Sequence, residues 1–134
     1  MIKQDYLVRM ILEIITLIAN AFLNKQKIRP QNWVEYDCLT RQILEMPSDA
    51  LKDMSPEEII DQYESDTNRM GKIELAAMTL LKISDEMADD NLLMKSKLKQ
   101  NGTELLKFVQ AQGDTFSLQR IALINMLEKE IWKK

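Results

Sequence analysis

Apolar residues recur every three or four positions through the first two dozen residues, on a stripe wider than one helix needs. Leu7, Met10, Ile11, Ile14, Leu17, Ile18, Ala21 and Phe22 follow the period of a single helical face. Val8, Leu12, Ile15, Ala19 and Leu23 then extend that face around the axis. The spacing predicts a helix from Lys3 to near Asn24. A helix coated this broadly has to lie at the centre of a bundle, cover a partner or touch lipid.

The remaining pattern is also helical. Pro30 sits where a second helix can begin, and Trp33, Tyr36, Leu39 (or Val34), Ile43 and Leu44 give it an apolar side as far as Glu45. Pro47 ends that run, and Ser48 is placed to cap a short turn through Met54. Ser55-Pro56-Glu57-Glu58 is the clearest local signal: serine caps, proline takes the first helical position and Glu58 closes a capping box. That short helix, with Ile59, Ile60 and Tyr63 inward, should end near Glu64.

A longer helix is predicted from Thr67 to Met87 or Ala88, with Met70, Ile73, Ala76, Ala77, Leu80 and Leu81 as contacts. Gly71 either permits a close helix crossing or loosens the first turn. Asp89-Asp90-Asn91 breaks the chain. The stretch holding Leu92, Leu93, Leu98, Leu105, Leu106, Phe108 and Val109 is divided at Asn101-Gly102-Thr103 into two helices, or else forms one bent helix. Gln112-Gly113-Asp114 is a stop. Ser117 then caps a last helix carrying Ile121, Leu123, Ile124, Leu127 and Trp132 inward, and Phe116 with Ile121 forms a hydrophobic staple.

Three prolines and three glycines in 134 residues leave few turns and long elements. The expected architecture is all-α: a single domain over residues 1–134, an antiparallel multi-helix array of about five to seven helices. Composition then narrows the chemistry. There is no histidine, so the lone Cys38 has none to pair with, and it has no partner for an internal disulfide. A formal net charge of -3 supplies no field for nucleic acid or anionic lipid. Lys95, Lys97 and Lys99 are spread around a helix without interleaved aromatics, so nucleic-acid binding is not expected. The acidic balance and the lone cysteine point to a cytoplasmic protein. The opening imitates a secretory signal, with Lys3, a greasy stretch and Ala19-Asn20-Ala21, but Asp5, Arg9 and Glu13 interrupt it. The uninterrupted part, Ile14 to Leu23, is too short to span a bilayer, so membrane contact is not expected.

Two acidic steps are the best catalytic candidates. Glu58 with Asp61, and Glu86 with Asp89, each place two carboxylates three residues apart on one helical face. Converging, the four would hold Mg²⁺, which would neutralise phosphate charge and orient a water. All-alpha nucleotide pyrophosphohydrolases use similar steps, which makes a metal-dependent enzyme of that class the alternative reading. Against it, 21 acids in a helical chain produce such spacings by chance, and Glu58 is already engaged as a cap partner. Trp33 and Tyr36 share a face and are binding candidates, because aromatic side chains bury large area and keep a polar handle.

Three patches carry a family resemblance. The opening Ile2-Lys3-Gln4-Asp5-Tyr6-Leu7-Val8-Arg9-Met10-Ile11, the segment Gly71-Lys72-Ile73-Glu74-Leu75-Ala76-Ala77-Met78-Thr79-Leu80-Leu81 and the entry Thr115-Phe116-Ser117 resemble an uncharacterised family of small bacterial proteins, found mainly in Firmicutes. The resemblance implies a helical fold with one tetratricopeptide-like helical pair and no established activity. No second pair repeats the pattern at about 34 residues, so a solenoid is not implied.

Together these features predict a protein–protein interaction or scaffolding protein rather than an enzyme, with no resident cofactor. It would act through apolar helical faces, as a homodimer formed over Val8, Leu12, Ile15, Ala19 and Leu23, with Trp33 and Tyr36 as further interface candidates. A protein or peptide partner would be a second occupant.

Overall fold

The computed structural model describes residues 4–132, and the side chains of all of these except residues 89 and 130–132. Seven α-helices and no strand occur among the described residues. They are α1 (Gln4–Leu23), α2 (Pro30–Leu44), α3 (Ser48–Lys52), α4 (Pro56–Gln62), α5 (Arg69–Glu86), α6 (Leu92–Gln112) and α7 (Leu118–Trp132), with a 3₁₀ turn at Asp89–Asn91 before α6. Lys3, the expected start of the first helix, lies outside the described residues, as does the side chain of Trp132.

The centre belongs to α5, not to the broad-faced α1. Every residue from Lys72 to Lys82 is buried, on all sides of the helix. Between those lysines only Glu74 and Thr79 are polar, and the alanines and aliphatic residues around them make a rod that is stable only when surrounded. The α1, α2, α3, α4 and α6 helices all pack on it, α6 and α1 most extensively, while α7 closes the far side mainly against α6 and α1. Ser84 meets Lys95, Leu81 meets Gly102 and Arg69 meets Phe108, so α6 runs antiparallel to α5. The α1 helix runs parallel to α5, with Gln4 bonded to Asn68 at one end and Phe22 beside Glu86 at the other.

Local signals explain most boundaries. The capping box forms: Glu58 N–H donates to Ser55 Oγ at 3.2 Å, and Ser55 N–H donates to the Glu58 carboxylate at 2.9 Å. Ser117 caps α7 by accepting the Arg120 N–H at 3.1 Å. Ser48 does not cap α3. Pro47 occupies that position, and the Ser48 hydroxyl lies 3.4 Å from Asp37 instead. The expected staple is also absent in effect, because Phe116 is 72% exposed and most of its ring stays in water.

At Asn101-Gly102-Thr103 the chain does not divide. A single helix, α6, runs through it, and Gly102 is there for packing. A Cβ at Gly102 would lie 2.9 Å from two Leu81 side-chain carbons and 3.1 Å from the Ala77 carbonyl oxygen. Gly71 is a weaker constraint, since a Cβ there would reach Ile11 only at 3.4 Å. The close crossing therefore lies at Gly102, between α5 and α6.

By length and composition α1 is long and apolar enough to cross a membrane, a property understated by reading only Ile14 to Leu23. Core helices of soluble proteins and signal sequences near an N-terminus share it. Here Met10, Ile11, Ile14, Ile15, Ile18 and Ala19 are buried against the rest of the chain.

Gly102→Ala should lower stability by about 1–3 kcal/mol, because overpacking at the crossing outweighs the gain in helix propensity. Gly71→Ala should leave stability unchanged or raise it by up to about 1 kcal/mol. Urea unfolding of the two variants measures both, and opposite ordering would refute the assignment of the crossing.

Candidate functional site

A cleft of about 380 Å³ opens between the N-terminal half of α1, the start of α5 and the α6–α7 connection. Its apolar lining comes from Ile11 and Ile15 of α1, Met70 of α5 and Val109 of α6, with Val8 and Leu12 also contributing. Val8 is 41% and Leu12 57% exposed, so the apolar lining continues onto open surface. Thr67, Asn68, Arg69 and Asp114 supply polar edges. Directly after Thr115, which lines the cleft, come Phe116 and Leu118, both largely exposed.

The cleft is held in shape by a buried guanidinium. Arg120, 3% exposed, donates through Nε and Nη2 to the two Glu74 carboxylate oxygens at 2.9 and 3.3 Å. Its Nη1 donates to the Gln110 side chain at 2.9 Å and to the Thr115 carbonyl at 3.1 Å, and Nη2 also donates to the Thr115 hydroxyl at 3.3 Å. A guanidinium has five N–H groups, and these five bonds use them all. Glu74 and Thr115 both line the cleft, so one side chain fixes its α5 wall and its connecting-loop wall together.

Arg69 forms another part of that wall. Its guanidinium carbon lies 5.5 Å from the Phe108 ring centroid, a cation–π contact. Its Nε is buried and has no hydrogen-bond partner. Just upstream, burial pushes the Asp66 carboxyl up, but hydrogen bonds from the Lys72 ammonium (2.6 Å) and the Asn68 N–H (2.7 Å) outweigh it and hold it below the usual range. Tyr63, whose hydroxyl donates to the Leu44 carbonyl at 2.8 Å, is raised by burial and then by the Glu45 and Asp66 charges. These groups anchor the start of α5 beside the cleft.

The sequence-based candidates are distributed unevenly around this site. Val8, Leu12 and Ile15 reach the cleft, but Ile15 and Ala19 are buried within the chain and Leu23 is partly buried against its core. The flank of α1 left open to a partner thus narrows to Val8 and Leu12. Trp33 and Tyr36 stack on each other, with centroids 6.3 Å apart, and both pack against the core. Trp33 also covers the Lys82 ammonium, 4.3 Å from its ring centroid. The Trp33 ring thus shields a buried lysine, whose charge is matched by Glu86 at 2.6 Å.

The acidic steps do not assemble. No group of three acidic, cysteine or histidine side chains able to hold a metal occurs among the described residues. Glu58 is committed to its cap and Glu86 to Lys82, while Asp61 lies on the exposed side of α4. The Asp89 side chain lies outside the described residues. Mg²⁺ coordination by Glu58, Asp61 and Glu86 therefore draws no support from this arrangement.

Sequence reasoning passed over Arg120, Glu74 and Arg69. The signal was partial: Glu74 and Arg120 are opposite charges set within two apolar stretches. Arg9 and Glu13, however, interrupt the equally apolar run of α1 and are exposed, so position alone does not mark a charge as buried and in need of a partner.

Arg120→Met should cost about 3–5 kcal/mol, because it leaves the Glu74 carboxylate buried and unpaired. The double variant Arg120→Met, Glu74→Leu should recover most of that loss, as urea unfolding can establish. No family model, curated protein or solved structure matches this chain.

Proposed function

We propose that this chain is a protein–protein interaction or scaffolding protein that associates through the open flank of α1 and the adjoining cleft, with a second copy as its partner. The observation that carries this reading is the exposure of Val8 and Leu12 at the cleft edge, on a helix whose other aliphatic residues are buried or partly buried and which also leaves Tyr6 exposed. Water contact at two aliphatic side chains beside an apolar cleft is removed by docking a complementary apolar face. The apolar surface continues past the cleft through Phe116 and Leu118, which suits an extended macromolecular surface better than a small ligand.

No catalytic role is proposed. In this reading the protein works in the cytoplasm, and α5 with α6 corresponds to the tetratricopeptide-like pair that the family resemblance implies. The tight crossing at Gly102 supports that correspondence, since small residues let paired helices approach closely.

Sedimentation equilibrium at micromolar protein tests the reading. The wild-type chain should run at twice the mass of one chain. Leu12→Asp, which would place a carboxylate in the interface, should weaken association by at least about tenfold. Leu93→Asp, at an exposed site on α6 away from the cleft, should not change it. A single-chain mass for the wild type throughout would overturn the proposal.

A further inference from the structure

The exposed side of α1 is complementary to itself when reversed. Asp5, Val8, Arg9, Leu12, Glu13 and Thr16 are all exposed, and they lie along one side of the helix at helical spacing. Val8 and Leu12 form an apolar pair four residues apart. Arg9 and Glu13 form a charged pair with the same spacing, one position around the helix. Neither Arg9 nor Glu13 takes part in an ion pair among the described residues, although helical neighbours at this spacing are within reach of each other.

We infer that two copies pair their α1 helices antiparallel about a twofold axis near residues 10 and 11, each copy's Leu12 packing on the other's Val8 and each Arg9 facing the other's Glu13. This inference rests on the self-association proposed above and specifies its geometry. An antiparallel pair with its axis at residue 10 sets Val8 opposite Leu12, and one with its axis at residue 11 sets Arg9 opposite Glu13. The two settings differ by about 3 Å in the sliding of one helix along the other, since moving the axis by one residue shifts the partner by two, and an arginine side chain spans that distance.

Asp5 then falls opposite the uncharged stretch Ile15 to Leu17, so the reversed stripe creates no like-charge pair. A parallel pair in register would instead bring Arg9 beside Arg9 and Glu13 beside Glu13. Charge complementarity thus selects the antiparallel arrangement and selects this chain's own helix as occupant. The interface is isologous: the same patch is used twice, and closure at two copies follows. Leu12 of each copy, resting on Val8 at the edge of the other's cleft, extends the buried apolar surface into that cleft.

Charge exchange between two separately purified variants tests this. Arg9→Glu faces Glu13 with a second acid, and Glu13→Arg faces Arg9 with a second base. Each variant alone should self-associate at least about tenfold more weakly than wild type, because two attractive contacts per dimer become repulsive. An equimolar mixture should restore association to near the wild-type level. In the mixed dimer the acid introduced at position 9 of one variant meets the base introduced at position 13 of the other. The native Glu13 of the first then meets the native Arg9 of the second. The chain carrying both substitutions should self-associate like wild type. Circular dichroism of each variant checks that its helices are intact.

If the wild type dimerises and Leu12→Asp breaks the dimer, but the mixture associates no better than its components, the antiparallel geometry is wrong while self-association stands. If the wild type is monomeric at every concentration, both fail.

Discussion

The Arg120 guanidinium is the constraint on which the shape of the candidate site depends. It reaches from α7 to Glu74 on the central helix, to Gln110 near the end of α6 and to the carbonyl and hydroxyl oxygens of Thr115 in the connection between α6 and α7. Such a buried pair is weak evidence of net stabilisation, since desolvating both charges offsets most of their attraction. Its effect is directional. A planar fork with five donors accepts few arrangements of its acceptors, so α7 and the connection before it are held at a defined angle to α5. The cleft between α1, α5 and that connection exists because those walls cannot relax inward onto Ile11 and Ile15.

Around that clamp the layering follows from how apolar each helix is. The α5 helix is buried on all sides and apolar there except at Glu74 and Thr79, so it takes the interior, with Lys72 and Lys82 at either end of its buried stretch reaching Asp66 and Glu86. Lys72 and Lys82 also lie over aromatic rings, Tyr63 and Trp33, which lowers the cost of keeping an ammonium out of water. With the interior filled, α1 can bury only one side. Its surplus of apolar residues is then divided: six are buried in the core, Leu7, Phe22 and Leu23 are partly covered, and Tyr6, Val8 and Leu12 face out. The proposed self-association follows from that remainder.

The helical class, the start of α2 at Pro30, the capping box at Ser55 and the cap at Ser117 were legible because each rests on a few neighbouring residues. Periodicity also placed Leu123, Ile124 and Leu127 of α7 inward, and they are buried. Three features were not legible, and all depend on contacts distant in sequence. Gly102 reads as a helix breaker by composition, yet Leu81 and Ala77 need its missing side chain. The widest apolar stripe suggests the most central helix, yet α5, apolar in its buried stretch except at Glu74 and Thr79, outranks it. Arg120, three residues after the Ser117 cap, stands where a capping box has an acid, whereas its own acid partner lies 46 residues away. For the candidate site, the pattern marked Val8 and Leu12 correctly as apolar surplus but had no means of separating them from Ile15 and Ala19, which the fold covers.

The most direct measurement is of distances between two copies along α1. Nitroxide labels on Tyr6→Cys, and separately on Asn24→Cys, in a Cys38→Ser background, place one probe near the proposed axis and one far from it. Antiparallel pairing about residues 10 and 11 should bring the labels at position 6 within about 20 Å and hold those at position 24 about 40 Å apart. Equal separations at the two positions would contradict the antiparallel geometry, and no dipolar coupling between copies at either would contradict association itself.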